Sequence, residues 1–199
     1  RNKTELVTCE VCPHHLYLTE EYFRENGNYG KMNPCLRYEK DRDALWKAIE
    51  EGIVDQIATD HAPHLPEEKD RPFDKAPAGV PGIELMVPLM LHAVNEGRLT
   101  LEHLVQLCAI NPTKIYGIVE RGGIKPGNWA DLTIVDMNLE KEVRNEDQVT
   151  QCGWTPFAGM TLKGWPVMTY VNGHKVFHRG EFTTETPGQE LTFDNREGK

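Results

Sequence analysis

The sequence predicts an α/β fold in two parts: parallel βα units up to about residue 120, then a small β-rich module. Three observations carry this reading. A short apolar run, 53–58, stops abruptly at a carboxylate and two histidines, as a buried parallel strand does, and 6–11 reads as a second strand. Stretches with apolar residues at helical spacing lie between and after them. Beyond Gly122 the helical spacing ends, and the turn signals Gly127-Asn128 and Asn172-Gly173 punctuate runs of strand formers.

The elements follow in order. Residues 6–11 read as a strand ending at Cys12-Pro13-His14-His15. Residues 19–23 form a short helix, 27–30 a turn and 31–37 an ordered loop. Asp41 is placed to cap a helix over 41–51 that turns Ala44, Leu45, Ala48 and Ile49 to one face and stops at Gly52. Strand 53–58 runs into Thr59-Asp60-His61-Ala62-Pro63-His64, and a charged, proline-rich loop occupies 65–78. The clearest helix spans 83–96, with Ile83, Met86, Val87, Met90, Leu91 and Val94 in register. Thr100 is an N-cap for 101–109, and Asn111-Pro112 opens a last short helix that ends at Gly117. A strand is expected over 131–135 and a hairpin over 168–171 and 175–178, with a loose polar tail from Thr183. Two parallel strands cannot close a barrel, which takes about eight.

Composition narrows the function. The 199 residues are 39% apolar, enough for a core, and carry a net charge of −9. That balance argues against binding nucleic acid or an anionic membrane surface, since nothing would neutralise a row of phosphates. No apolar run approaches the ~18–20 residues of a membrane span, and no secretory signal is seen. Five scattered cysteines point to reduced thiols and a cytoplasmic setting. Cys9-x-x-Cys12 lacks a second such pair or a helix start, so ordinary partly buried thiols are expected. The first residue is Arg1, which leaves a fragment, a processed product or a partial record open.

The strand-end cluster around Asp60 carries the chemistry. Functional groups at the C-terminal ends of parallel strands are where α/β folds place active sites. On residue chemistry alone, Asp60 is equally a catalytic carboxylate and a turn cap. Similarly, Asn33 is a ligand contact or an Asx turn before Pro34, and His64 an anion-binding imidazole or a solvent-exposed loop residue. His14 and His15, if on a strand, would point to opposite sides and would rarely share one metal, which favours structural or supporting roles.

Several motifs together resemble the dihydroorotase family of cyclic amidohydrolases. They are Glu10-Val11-Cys12-Pro13-His14-His15-Leu16, Asn33-Pro34-Cys35-Leu36-Arg37, Thr59-Asp60-His61-Ala62-Pro63-His64 and Ala78-Gly79-Val80-Pro81-Gly82-Ile83-Glu84. Asn111-Pro112-Thr113-Lys114, Gly123-Ile124-Lys125-Pro126-Gly127 and Trp154-Thr155-Pro156-Phe157-Ala158-Gly159 continue the likeness to about Phe182. It implies the C-terminal part of a (β/α)8 TIM-like barrel, strands 7 and 8, over 1–120. A β-sandwich segment would follow over 121–182 and a polar tail over 183–199. The activity implied is zinc-dependent, reversible cyclisation of N-carbamoyl-L-aspartate to L-dihydroorotate in pyrimidine biosynthesis.

The resemblance also implies roles. Asp60 would ligate zinc and shuttle a proton; His64 would hold the substrate carboxylate. Asn33 would contact the ring, and Ala78 and Gly79 would offer it backbone groups. His61 would buttress the site. Glu10 would support it from behind or add a metal ligand, and Arg37 would position its loop. The family's His-x-His pair and its other metal ligands are absent, so one or two zinc ions per complete site would need groups outside these residues. A homo-oligomer, a missing barrel half or aspartate transcarbamoylase would then be partners. Alternatives are an allantoinase- or hydantoinase-type cyclic amidase, or a non-catalytic assembly module.

Overall fold

The computed structural model describes residues 7–184 and 187–194. Its first strand, β1 (Glu10–Val11), pairs in parallel with β2 (Gln56–Ile57), Glu10 opposite Gln56 and Val11 opposite Ile57. Both are shorter than the apolar runs predict, and Leu6 lies outside the described residues. The flanking residues are still tied across, the Asp55 amide donating to Cys9 O at 2.7 Å and the Ala58 amide to Val11 O at 3.1 Å, but regular ladder pairing is confined to two residues of each run.

Pro13 ends β1 and sets the backbone for α1 (Pro13–Tyr17), because its fixed φ suits a first helical turn. His14 and His15 therefore lie on a helix, which corrects the strand placement. Leu16 is buried there, the Tyr17 hydroxyl donates to Leu89 O at 2.6 Å, and the Trp46 indole donates to Leu16 O at 2.8 Å. Helix α2 (Glu20–Asn26) and a 3-10 turn (Gly27–Gly30) lead to the loop before α3 (Glu39–Glu50). Asp41 sits inside α3 rather than before it; its carboxylate accepts from the Tyr38 amide at 3.2 Å, and Tyr38 is the cap position. Ile49 faces the core as expected.

The proline-rich loop holds one short helix, α4 (Pro66–Lys69). Helix α5 (Met86–Asn95) starts three residues later than its periodicity predicts, leaving Ile83 59% exposed. Leu89, Met90 and Ala93 are fully buried, so α5 is enclosed on more than one side. Each large buried side chain there stabilises by about 1.5–3 kcal/mol. Helix α6 (Leu101–Val105) is capped by Thr100, whose hydroxyl accepts from the His103 amide, and continues as a π-turn (Gln106–Ile110) into α7 (Asn111–Tyr116). Gly117 ends α7 at φ 69°, a left-handed value that favours glycine.

The second sheet is antiparallel, in the order β3 (Leu132–Glu142), β4 (Thr161–Val171), β5 (His174–His178), β6 (Glu181–Phe182). The hairpin turns at Asn172-Gly173 as predicted. Helix α5 lies against β4, where Asn95 donates to Met137 O and Lys163 O, and the Lys163 amide donates to His92 Nδ1. A Cβ on Gly164 would lie 2.7 Å from Leu91 Cβ, so this residue must be small. Within 187–194 the tail is tied down: Phe193 bridges Ile118, and the Val119 amide donates to Thr192 O. The loose tail expected from its polar composition is corrected here by backbone pairing.

Candidate active site

The parallel pair β1–β2 aims two chain segments at one place. After β2 the chain turns at Asp60, whose φ of 44° is left-handed. Its carboxylate is exposed and makes no hydrogen bond among the described residues. It lines a cavity of about 680 Å³ together with Glu10, Cys12, His15 and Arg37. Burial, then the charges of Asp60 and Glu10, push the Cys12 thiol up to about 11, so it stays protonated at neutral pH and is no nucleophile.

Three further segments converge beside this turn. His61 bridges Val80 in parallel, and its Nδ1 accepts from the amides of Gly82 (3.1 Å) and Ile83 (3.3 Å). The ring thus props the 79–84 segment. His64 Nε2–H donates to Ala78 O at 3.1 Å, and its Nδ1 lies 3.9 Å from the Glu68 carboxylate. The Gly79 amide donates to Lys31 O at 2.9 Å, which draws in the loop that carries Asn33. Gly79 has φ 125°, and a Cβ there would lie 2.5 Å from Ala62 Cβ and 3.3 Å from His64 Nε2. Only glycine fits this approach.

Asn33 is exposed, and its amide makes no hydrogen bond among the described residues. The Asx-turn alternative is therefore not realised, and the amide is free for a ligand. Arg37 is exposed and lies 4.0 Å from Cys35 Sγ. The Glu10 carboxylate accepts from Gln56 Nε2 at 2.8 Å, beside the Tyr116 hydroxyl on the same amide.

His14 and His15 behave differently from each other. Burial, then the neighbouring His15 charge, lowers His14 to about 3, so it is neutral. Its Nε2 finds no partner among the described residues. His15 Nε2–H donates to Pro34 O at 3.0 Å and fixes the end of the Asn33 loop. Their rings are 4.2 Å apart, and one ligand atom from each of Cys12, His14 and His15 lies within 4.8 Å of the others. The strand geometry that would disfavour a shared metal does not apply on a helix.

Several supports escaped the sequence reading. Trp154 Nε1–H donates to His64 O at 2.8 Å, and its ring meets Tyr29 edge-on at 4.9 Å. The Glu84 carboxylate accepts from the amides of Val149 (2.8 Å) and Thr150 (2.6 Å) and from the Thr150 hydroxyl. These contacts join residues more than 60 positions apart; the motifs around Trp154 and Glu84 were their only trace.

Residues 5–176 match the model of the amidohydrolase family. The chain belongs to that family. It is 43% identical to the dihydroorotase of Pyrococcus furiosus over 190 residues, 96% of this chain and 44% of that protein. It is 44% identical to a dihydroorotase of Staphylococcus aureus over 172 residues, 86% of this chain and 40% of that one. The solved L-hydantoinase (dihydropyrimidinase) of Arthrobacter aurescens superposes with a TM-score of 0.89 at 35% identity, over 94% of this chain and 43% of that one. The chain thus spans less than half the length of the curated relatives it matches. Its mixed α/β architecture is that of an amidohydrolase. No helix among the described residues is long and apolar enough to cross a membrane.

Proposed function

We propose that the chain supplies strands 7 and 8 of a (β/α)8 barrel and the adjoining β-sandwich segment of a dihydroorotase. The parallel β1–β2 pair would be those strands, with the barrel part over 1–120 and the sandwich part over 121–182. The reaction is reversible closure of N-carbamoyl-L-aspartate to L-dihydroorotate. One observation carries the reading: Asn33, His64, Ala78 and Gly79 come from three separate motifs, and their segments are hydrogen-bonded into one cluster next to Asp60.

The amidohydrolase family generally uses a metal, commonly zinc. Asp60 fits as one ligand, because its carboxylate is exposed on the cavity and committed to no other group. The remaining ligands would come from outside these 199 residues. When bound, the metal lowers the pKa of water to about 7 and polarises the scissile carbonyl. Asp60 accepts the proton from the attacking water and delivers it to the leaving ring nitrogen. The Asn33 amide both donates to and accepts from the ring amide, and the Gly79 backbone approaches the ring because no Cβ intervenes. His64 orients the Ala78 carbonyl, and it would hold the substrate carboxylate through a ring N–H, which requires Nε2–H to exchange Ala78 O for the substrate or a protonated Nδ1 to turn from Glu68. Five free thiols suit a reducing, cytoplasmic setting. Assembly partners would be the missing barrel half, a second copy or aspartate transcarbamoylase.

The test is hydrolysis of dihydroorotate by the full-length protein. Turnover that Asp60→Asn abolishes supports the reading, and full activity in that variant sinks it. The likeness to L-hydantoinase favours a second reading, cleavage of a neutral cyclic amide. Dihydrouracil and a substituted hydantoin, assayed in parallel, separate the two. Dihydroorotase specificity requires that only the carboxylated ring turns over and that His64→Ala raises its KM.

A further inference from the structure

Lys69, the last residue of α4, is fully buried and is the only fully buried cation among the described residues. Its Nζ donates to Gly79 O at 2.9 Å, Pro77 O at 3.1 Å and Lys31 O at 3.4 Å. An ammonium has three donors and no acceptor, so these three carbonyls satisfy it. No carboxylate pairs with it among the described residues, and the Trp154 ring lies 5.8 Å away. Burial, then the charge of Lys31, pulls Lys69 down to about 8. Burying an ion that no opposite charge offsets is costly, and a methionine would fill similar space without that cost.

What the ammonium gathers accounts for its presence. Lys31 precedes Asn33 by two residues, and Pro77 and Gly79 flank Ala78. These are the two segments that carry the proposed substrate contacts, and the first of them reaches the Asp60 cavity through Pro34 and Cys35. Lys31 returns the link, its own Nζ donating to Phe73 O and Ala76 O at 2.6 Å each. The Gly79 amide donates to Lys31 O, so that carbonyl serves both the lysine and the glycine.

We infer that Lys69 is a positioning residue for substrate recognition: its buried ammonium clamps the Asn33 loop to the Ala78–Gly79 segment, so that amide, imidazole and backbone meet the carboxylated ring together. The inference rests on the dihydroorotase reading and deepens it. It assigns Lys69 no contact with substrate and no part in proton transfer.

Lys69→Met, Lys69→Gln and Lys69→Arg, each made in the full-length protein, test it. Lys69→Met is expected to raise the KM for dihydroorotate by at least about tenfold, with kcat changed by less than roughly threefold. Affinity for orotate should fall in parallel while zinc content stays at the wild-type value. Lys69→Arg, which keeps charge and donors, should recover part of the loss. Exchange of the Gly79 amide is read on the same proteins and should speed up by at least about tenfold in Lys69→Gln. A folded Lys69→Met with wild-type KM and orotate affinity overturns the proposal. So does unchanged Gly79 exchange. If neither Lys69→Met nor Lys69→Gln folds, the residue is a structural plug and the proposal is again overturned. Wild-type protein that turns over no dihydroorotate defeats the dihydroorotase reading instead, and the amide exchange still decides whether Lys69 is the clamp.

Discussion

The two parallel strands deliver their chains to the same side of the molecule, yet the ends differ in kind. At the end of β1, Pro13 starts a helix at once, and His14 is driven inside, 3% exposed and neutral. At the end of β2, the backbone takes a left-handed turn that leaves Asp60 exposed on the cavity. Both ends carry titratable groups beside histidines. Their local backbone decides that His14 is turned into the protein and Asp60 toward the cavity, which Glu10, Cys12 and His15 of the β1 end also line. A strand end rich in titratable groups therefore marks a candidate site, but exposure and hydrogen-bond commitment separate a reacting group from a structural one.

This contrast can be broken. Asp60→Asn should lower turnover of the full-length protein by on the order of 10²–10⁴, with thermal stability nearly unchanged, because the carboxylate has no packing role. A melting temperature that collapses along with activity would make Asp60 a structural turn residue. His14→Ala should behave in the opposite way. It should cost about 2–4 kcal/mol in denaturant unfolding through the cavity it leaves. Metal content at the Asp60 site should be unchanged.

Protonation sharpens the same distinction. His14 titrates at about 3 in the folded chain against 6.5 in the unfolded one, so between these values the unfolded state binds more protons. Stability should then fall as pH drops from about 6.5 toward 3, by up to about 1.4 kcal/mol per pH unit. His14→Gln should flatten that slope, and an unaltered slope would place the acid sensitivity elsewhere. At the β2 end, Gly79→Ala should destabilise by about 1–3 kcal/mol, since its Cβ would overlap Ala62. It should raise KM as well. The smallest effect expected is Trp154→Phe, which removes one hydrogen bond to His64 O and should cost about 1 kcal/mol, read as a shift in the denaturant midpoint.

Much of the local structure was legible before the fold was seen. The cap at Thr100, the stop at Gly117 and the turn at Asn172-Gly173 depend on the chemistry of one or two residues, and all three stand where expected. The parallel pairing of the two apolar runs followed from their composition. Less legible were the ends of α5, because Ile83 fits the helical period while the chain before Met86 is held instead by His61 and Glu84. His14 and His15 were misplaced because one proline outweighed the apolar run before it.

By itself the sequence determined the kinds of chemistry available: a carboxylate and imidazoles at a strand end, an asparagine before a proline, and a glycine in the loop that follows. These depend on residue identity and local conformational preference. Tertiary structure alone decided which of them act together. It showed Asn33 unbonded, turned His64 onto Ala78, buried Lys69 among three carbonyls and set Trp154 behind His64. Those outcomes rest on partners up to 90 residues apart, and no local pattern encodes a contact whose other half lies in a distant segment.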